Sequence, residues 1–431
     1  MNQMVEKGKT LLVDGPASVT VASGKTGVFG FKIGNASRII IREGKRLPFT
    51  VEETATFNIS LGEGASVEVN EGNSIPPSWA ESYEKLASIQ GKSITALVLG
   101  TVDSGKSSFC TYLINRLLRE KKKVAILDGD LGQSDIGPPC TVSYTFVTRP
   151  VTDLFNLETK NVFFAGVTSP STIIGRMIEG LTTLKKDILA SNPDFLIINT
   201  DGWVEDEDAI YYKIKLVEEL NPDMVFCIQQ KDELAPLLGA LEKFKKVMVD
   251  YPPAIGQRSK ERRKNLRELG YIKYLRNSKV QSLPLSWLKV EKSDVFGLNG
   301  GQPNPRAATK IYALLGMKPL HYVESKDRVS VIIGKTRWIG AENLKKAEEF
   351  TKKKVTIIRK GEEEGILLGL YDAKRKFKGI GVLQEIDYLR KTLKILTPVS
   401  KDIAIIAMGK LKLDRSLKEI QNPQDENELR G

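Results

Sequence analysis

The order of apolar and polar positions along the 431-residue chain changes twice. Up to about residue 75, apolar and polar residues alternate in short runs that glycine-rich turns separate. Period-two alternation with turns every 8–12 residues is typical of a small antiparallel β domain, a sandwich or a barrel. The segment 74–79 contains Pro76 and Pro77, which cannot donate backbone hydrogen bonds, so we expect a linker there, followed by a helix around residues 80–90.

From about residue 92, short apolar runs alternate with longer stretches of helical periodicity. This alternation predicts a parallel sheet covered by helices on both faces. The block ends near residue 315. Its predicted strands are 94–99, 124–127, 162–165, 195–198, 224–228 and 246–249.

After Met317 the pattern returns to β, with one helix expected at about residues 340–354, and the tail from Arg415 is polar. The predicted strands are 329–333, 355–358, 365–370, 379–383, 392–396 and 403–407. Residues 100–107, directly after the first of the central strands, have the spacing of a Walker A P-loop. We therefore predict an α/β protein whose central P-loop NTPase domain has a parallel sheet and is flanked by small N-terminal and C-terminal β domains. The predicted boundaries are 1–75, 76–315 and 316–431.

The first chemical motif lies between an apolar strand and an amphipathic helix and has the spacing of a Walker A P-loop. In such a loop the backbone N–H groups surround the β-phosphate, the lysine reaches the β and γ oxygens, and the serine hydroxyl ligates Mg²⁺. The helix that begins at the lysine adds its positive N-terminal dipole. The expected nucleotide-binding residues are Gly100, Thr101, Val102, Asp103, Ser104, Gly105, Lys106, Ser107 and Ser108.

Two carboxylates, Asp128 and Asp130, follow the next predicted strand. Ligands of open α/β sheets bind at this carboxyl edge. One carboxylate there suits the outer shell of a Mg²⁺ ion, and the other suits a base that accepts the proton of an attacking hydroxyl. We assign Ser107 and Asp128 to the metal and leave a solvated strand end as the alternative.

The predicted strand 195–198 runs into the polar sequence Asn199-Thr200-Asp201-Gly202-Trp203, as a Walker B strand does. Asp201 could orient the water shell of a metal, and its role stays open. Trp203 could belong to the core, as tryptophans usually do, or stack on a nucleobase.

The segment 258–267 carries six basic residues and one acidic residue after two prolines and a glycine. A charge run is usually a solvated face. In a P-loop kinase the same composition indicates a lid whose arginines neutralise charge on the phosphates, which is the interpretation that we favour.

The cysteine and histidine content and the net charge limit which kinds of site and partner the chain can have. Cys110, Cys140 and Cys227 are isolated and His321 is the only histidine, so neither a zinc site nor histidine-based catalysis is indicated. The net charge of +12 suits a polyanionic partner or a solubilising surface. No apolar stretch is long enough for a membrane span and no signal peptide is evident, so we expect a cytoplasmic protein without membrane contact.

Together these motifs resemble the polynucleotide 5′-hydroxyl kinases in their archaeal form, a family related to a pre-mRNA cleavage-factor subunit and to a ribosomal-RNA-processing kinase. The family's Asp-x-Gly-Gln element corresponds to Asp130–Gln133, and its Thr-Ser-Pro clasp to Thr168, Ser169 and Pro170. Its Asn-Thr-x-Gly-Trp element ends here at Trp203, and its two lid arginines match Arg258 and Arg263.

The resemblance implies transfer of the ATP γ-phosphate to the 5′-hydroxyl of RNA, and also of DNA, with ATP or another nucleoside triphosphate and Mg²⁺. It makes Asp130 the base and places Lys106, Arg258 and Arg263 on the transferred phosphoryl group. Gln133, Thr168, Ser169, Pro170 and Trp203 would bind the substrate end. The family also implies RNA-processing protein partners. Two alternatives stay open: an ATP-binding scaffold subunit without turnover, and an ATPase switch of the MinD type.

Overall fold

The structure is a computed structural model that describes residues 1–253, 259–291, 298, 305–325 and 328–420. It divides into two compact units, Met1–Arg267 and Glu268–Gly431. The predicted lid arginine Arg258 and most of the predicted polar tail lie outside the described residues.

The first sheet of unit 1 contains seven antiparallel strands in the order β4-β3-β6-β2-β7, with β1 on β6 and β5 on β3. Its long strands alternate buried and exposed residues, as the period-two pattern predicts. The strands are β1 Asn2–Val5, β2 Thr10–Asp14, β3 Ala17–Val28, β4 Phe31–Ile33, β5 Arg38–Ile41, β6 Arg46–Leu61 and β7 Val67–Asn70.

The second sheet of unit 1 has the order β11-β10-β9-β12-β8-β13-β14. Strands β9, β12, β8, β13 and β14 are parallel. The first four are almost continuously buried, which explains their unbroken apolar runs, whereas the edge strand β14 alternates buried residues with more exposed ones. The strands are β8 Ile94–Gly100, β9 Val124–Gly129, β10 Thr141–Val147, β11 Asn161–Phe164, β12 Phe195–Thr200, β13 Met224–Gln229 and β14 Lys246–Asp250.

Strand β11 corrects one expectation. The run 162–165 was predicted as a parallel strand, but β11 pairs antiparallel with β10, and β10 pairs antiparallel with β9. The connection between β9 and β10 contains no helix, so the chain turns back without the crossover that a parallel neighbour requires. β10 itself was not predicted.

Helices cover both faces of the second sheet. The helices α1 and α2 pack between one face and the first sheet, where Trp79 and Phe109 meet edge to face with their ring centroids 5.2 Å apart. The helices α3 and α4 cover the opposite face. The helices are α1 Pro77–Ala87, α2 Lys106–Arg119, a 3₁₀ turn Leu154–Asn156, α3 Ile174–Leu189, α4 Glu207–Leu220, α5 Ala235–Ala240 and α6 Lys260–Tyr274.

Unit 2 contains two further sheets. The larger has the order β15-β22-β21-β20-β23-β16 with β24 on β23, and the smaller has the order β17-β18-β19. The strands are β15 Lys279–Pro284, β16 Lys289–Glu291, β17 His321–Glu324, β18 Arg328–Ile333, β19 Lys354–Arg359, β20 Ile366–Tyr371, β21 Phe377–Asp387, β22 Thr392–Thr397, β23 Ile405–Leu413 and β24 Glu419–Ile420. The helices are a 3₁₀ turn Leu285–Trp287, α7 Pro305–Leu315 and α8 Ala341–Thr351.

The division into three domains at residues 75 and 315 remains a prediction. Strands β15 and β16 lie in the range assigned to the central domain, yet they pair with β22 and β23 of the larger C-terminal sheet. The strand β15 has no fully buried residue, and β16 has only three residues, of which one is buried, so their sequences lack the apolar runs by which the other strands were found.

Candidate active site

The P-loop connects β8 to α2 in the conformation that the motif requires. Asp103 and Gly105 have left-handed φ angles of 59° and 92°. A side chain at Gly100 would lie 2.5 Å from the Ser104 hydroxyl and 2.7 Å from the Ile228 carbonyl, so only glycine fits there. The backbone between Gly100 and Lys106 therefore curls tightly, as an anion-binding loop does.

Lys106 is buried and folds back on its own loop. Its Nζ donates to the carbonyl oxygens of Gly100 at 3.0 Å and Thr101 at 2.5 Å. Burial lowers the pKa of Lys106 to about 8, while the charge of Asp130 acts in the opposite direction. The phosphates of a bound triphosphate would give this buried ammonium group negatively charged partners.

A chain of hydrogen bonds links the start of α2 to the end of β9. The Asn199 amide donates to the Ser107 hydroxyl at 3.3 Å and to the Asp128 carboxylate at 3.0 Å. Asp128 is fully buried and also accepts backbone N–H bonds from Asp130, Asp135 and Ile136. Asp128 thus acts on Ser107 through Asn199.

Asp130 begins the loop after β9 and is only half-buried. Its Oδ1 accepts the backbone N–H bonds of Gly132 at 3.0 Å and Gln133 at 2.9 Å, which fixes the carboxylate at the strand end. Burial raises the pKa of Asp130 to about 6, against the lowering effect of the Lys106 charge. The Asp-x-Gly-Gln element therefore holds a carboxylate whose proton affinity suits a base at neutral pH.

The helix α6 connects the two loops. The Arg263 guanidinium donates to the Asp103 carboxylate of the P-loop at 3.1 Å. One helical turn later, Arg267 donates to the Gly132 carbonyl at 3.5 Å. Because these two arginines lie four residues apart, one face of α6 contacts both the nucleotide loop and the loop that carries Asp130.

Asp201 is neutralised by a buried lysine. Its carboxylate lies 2.8 Å from Nζ of Lys213, accepts the Tyr212 hydroxyl at 3.1 Å, and accepts the backbone N–H of Trp203 at 3.0 Å. A side chain at Gly202 would lie 2.5 Å from the Val102 nitrogen. Asp201 therefore stabilises a turn whose glycine packs against the P-loop.

Trp203 belongs partly to the core and partly to the surface. Its indole stacks on Tyr212 with centroids 6.0 Å apart, and its Nε1 donates to Asp206 at 2.6 Å. The side chain is half-buried, so part of the indole packs against Tyr212 and part is open to solvent.

The predicted clasp lies beside the Asp130 loop. The Thr168 carbonyl is 3.3 Å from the position that a Cβ of Gly132 would take. Thr168 is half-buried, Ser169 is exposed and Pro170 is buried. The Pro170 carbonyl accepts the backbone N–H of Ile173 just before α3, which anchors the segment.

The described part of the chain contains no cluster of side chains that could hold a metal by itself. Such a cluster would need at least three histidine, cysteine, aspartate or glutamate side chains. A cation at Ser107 would consequently depend on nucleotide phosphates and water for its other ligands. That donor set is the one Mg²⁺ uses in P-loop proteins, so Ser107 fits the ion.

Sequence reasoning missed three contributors. It gave no role to Asn199, although the residue stands in the quoted Asn-Thr-x-Gly-Trp element. It counted Arg267 among the basic residues without placing it. It had no signal for Lys213, because a single lysine on an amphipathic helix normally faces solvent.

Residues 100–277 match the family described as the mRNA cleavage and polyadenylation factor CLP1 P-loop. These residues carry a CLP1-type P-loop. The chain is also similar to a polyribonucleotide 5′-hydroxyl-kinase of Methanocaldococcus jannaschii, with 28% identity over 79% of this chain and 93% of the relative. A polyribonucleotide 5′-hydroxyl-kinase of Pyrococcus abyssi is 27% identical over 81% of this chain and 95% of its own length. The resemblance inferred from the motifs is thereby confirmed.

A chain in the structure of the wild-type Clp1p–Pcf11p complex has a similar fold, with a TM-score of 0.66. The two chains are 12% identical, and the likeness covers 96% of this chain and 97% of the other. This supports the predicted fold class, a P-loop α/β fold with flanking β sheets. None of the helices in the described ranges is long and apolar enough to cross a membrane.

Proposed function

We propose that this CLP1-type chain is an ATP-dependent polynucleotide 5′-hydroxyl kinase that acts on RNA, and also on DNA. The observation that carries the proposal is the contact of one helix with two loops: α6 places Arg263 on Asp103 and Arg267 on the Gly132 carbonyl. A site for phosphoryl transfer needs a phosphate loop, a cationic cover and a proton acceptor together. The similarity to archaeal relatives named as polyribonucleotide 5′-hydroxyl-kinases supports the same function.

In the proposed reaction, the 5′-oxygen of the polynucleotide attacks the γ-phosphorus of ATP. The bond from the γ-phosphorus to the β,γ-bridging oxygen breaks, and ADP leaves with that electron pair. Asp130 accepts the proton of the attacking hydroxyl. Lys106 and the lid arginines Arg258 and Arg263 position the reacting groups. Their positive charges stabilise the negative charge that spreads over the transferred phosphoryl group.

The nucleotide would occupy the loop from Gly100 to Ser108. Lys106 would exchange the carbonyls of Gly100 and Thr101 for phosphate oxygens, which are better partners for an ammonium group. Mg²⁺, held by Ser107, would neutralise charge on the phosphates when bound. Asp128 is assigned to the outer shell of the ion. Asn199 donates hydrogen bonds to both Asp128 and Ser107, so Asp128 would influence Ser107 through Asn199.

The substrate end would lie against Gln133, Thr168, Ser169, Pro170 and Trp203. The position of Thr168 beside Gly132 supports this, because a strand end there would be next to Asp130. The exposed part of the Trp203 indole could stack on a base without reading its identity.

The deciding experiment is one incubation with γ-labelled ATP and an RNA oligonucleotide that has a 5′-hydroxyl. A matched oligonucleotide with a 5′-phosphate serves as the control, and the DNA versions of both test acceptor range. We expect label on the 5′-hydroxyl RNA and the 5′-hydroxyl DNA, none on the 5′-phosphorylated controls, and none with Lys106→Ala. Bound ATP without transfer would indicate the scaffold alternative, and hydrolysis that ignores nucleic acid would indicate a MinD-type switch.

RNA-processing protein partners and a cytoplasmic location remain predictions for this chain. The similar fold of a chain from the Clp1p–Pcf11p complex motivates a search for partners by co-purification. Partner binding is compatible with either an active kinase or a scaffold.

A further inference from the structure

A short loop in unit 2 has an unusual combination of side chains. Residues 334–340, here called the Trp338 loop, follow β18 and lead into α8. The strand β19 runs parallel to β18 and ends at Arg359. The loop and Arg359 therefore lie at the carboxyl edge of the same parallel pair, the edge at which ligands of α/β units commonly bind.

Trp338 is the centre of this surface. Its side chain is 74% exposed, whereas tryptophans in folded proteins are mostly buried. The Arg359 guanidinium lies over the indole ring, 5.1 Å from its centroid. This contact holds the ring against the end of β19 while the remainder of the indole faces solvent.

The stretch of sequence that contains the loop is strongly basic. Between residues 305 and 360 the sequence has 14 lysines and arginines against 5 aspartates and glutamates, a net charge of +9 in a chain whose total is +12. Within the loop, Lys335 and Arg337 are exposed, and neither has an ion-pair partner among the residues that the structure describes. Most of the excess charge of the protein therefore falls in the stretch of sequence that contains the Trp338 loop.

We propose that the Trp338 loop is a docking site for single-stranded nucleic acid. Stacking on an exposed indole and pairing of cations with successive phosphates are the two contacts by which such strands bind without sequence preference. A base would stack on Trp338, and Lys335 and Arg337 would contact the neighbouring phosphates, while Arg359 stays with Trp338 and with its ion-pair partner Glu362. An acidic peptide or an anionic membrane would use the cations, but neither would need an aromatic ring held by a guanidinium group.

None of the residues assigned to the proposed phosphoryl-transfer machinery belong to unit 2. The Trp338 loop would increase the affinity of the chain for the polynucleotide and would take no part in the transfer reaction. Binding measurements therefore test this proposal, and transfer assays test the kinase function separately.

The test measures binding of a 3′-fluorescein-labelled, 5′-phosphorylated single-stranded RNA of about 20 nucleotides to the full chain at several salt concentrations. We expect Trp338→Ala to weaken binding about 5- to 150-fold, the fold-change that corresponds to loss of one stacked base. The matched control is Trp287→Ala, because Trp287 is also 74% exposed and lies in unit 2. It should bind as the wild type does.

A double variant, Lys335→Ala with Arg337→Ala, should reduce the slope of log affinity against log salt by about 1.4, since each phosphate contact on a single strand contributes about 0.7. Wild-type affinity in Trp338→Ala, or an equal loss in Trp287→Ala, would overturn the proposal. So would preferential binding of an acidic peptide or of anionic vesicles at this loop. Transfer at saturating RNA should be unchanged in Trp338→Ala; absence of transfer in the wild type would refute the kinase function and leave the binding result intact.

Discussion

The Arg263 guanidinium of α6 lies 3.1 Å from the Asp103 carboxylate, which belongs to the P-loop. The Asp103 side chain is only 6% exposed and that of Arg263 24%, so the pair is largely shielded from water. A cation of the basic segment therefore already contacts the nucleotide loop. The phosphate oxygens of bound ATP would offer this arginine charged hydrogen-bond acceptors in addition to Asp103.

This pair yields the first prediction. Arg263→Ala should lower kcat by about 10²–10³-fold, because it removes a positive charge from the transferred phosphoryl group. Asp103→Asn should lower kcat less than about tenfold, because Asp103 orients the arginine but does not contact the phosphoryl group. Steady-state transfer assays with 5′-hydroxyl RNA give both values.

The control for this series is Arg262→Ala, which removes an exposed arginine from the adjacent position of α6. It should retain near wild-type kcat. An equal loss in Arg262→Ala and Arg263→Ala would show that only the net charge of the helix matters.

The second prediction concerns Asn199. Asn199→Ala removes one N–H donor from the buried Asp128 carboxylate and should lower the free energy of unfolding by about 1–3 kcal/mol. Asn199→Asp should cost more, because it places a second carboxylate where an amide now donates at 3.0 Å. Urea unfolding followed by circular dichroism measures both changes.

A matched control exists on the protein surface. The Asn161 amide also donates to a carboxylate, that of Asp187, at 3.0 Å, but this hydrogen bond is exposed to water. Asn161→Ala should leave the unfolding midpoint nearly unchanged. If it destabilised the protein as much as Asn199→Ala, burial of Asp128 would not be the cause.

The third prediction concerns the ion pair between Lys213 and Asp201, which are both buried. Lys213→Met leaves an uncompensated carboxylate in the interior and should cost about 3–5 kcal/mol. The double variant Lys213→Met, Asp201→Asn should recover part of that loss, because no buried charge remains. Thermal and urea unfolding of the four proteins form a double-mutant cycle.

The comparison for this cycle is the partly exposed pair Lys215 and Glu218 on the same helix. Lys215→Met should not change the unfolding midpoint measurably, since water screens an exposed pair. Equal effects of the two lysine substitutions would contradict the buried-pair interpretation.

The P-loop and the parallel strands could be predicted because their patterns are local. The strand β8 is buried throughout, so its seven residues form one apolar run that ends in the glycine of the motif. The loop conformation then follows from Gly100 and Gly105, because these positions need close approach or a left-handed φ.

The rest depends on contacts between distant segments. The sequence placed Arg263 in a lid, but its pairing with Asp103 joins residues 160 positions apart. Asn199 meets Ser107 only because β12 and β8 are neighbours in the sheet. The antiparallel direction of β11 was missed for a similar reason: strand direction is set by the connection and not by the apolar run itself.

The central claim is that the Asp130 carboxylate is the base, and the pH dependence of transfer tests it most directly. The pKa of Asp130 is raised to about 6, and the ionised form is the active one. In the wild type kcat/KM should therefore rise about tenfold per pH unit below 6 and level off between pH 6 and the Lys106 pKa of about 8. Asp130→Asn, which preserves the shape of the side chain, should transfer label at a small fraction of the wild-type rate without that rise. A near wild-type rate in Asp130→Asn, with the same rise between pH 5 and 6, would contradict the account.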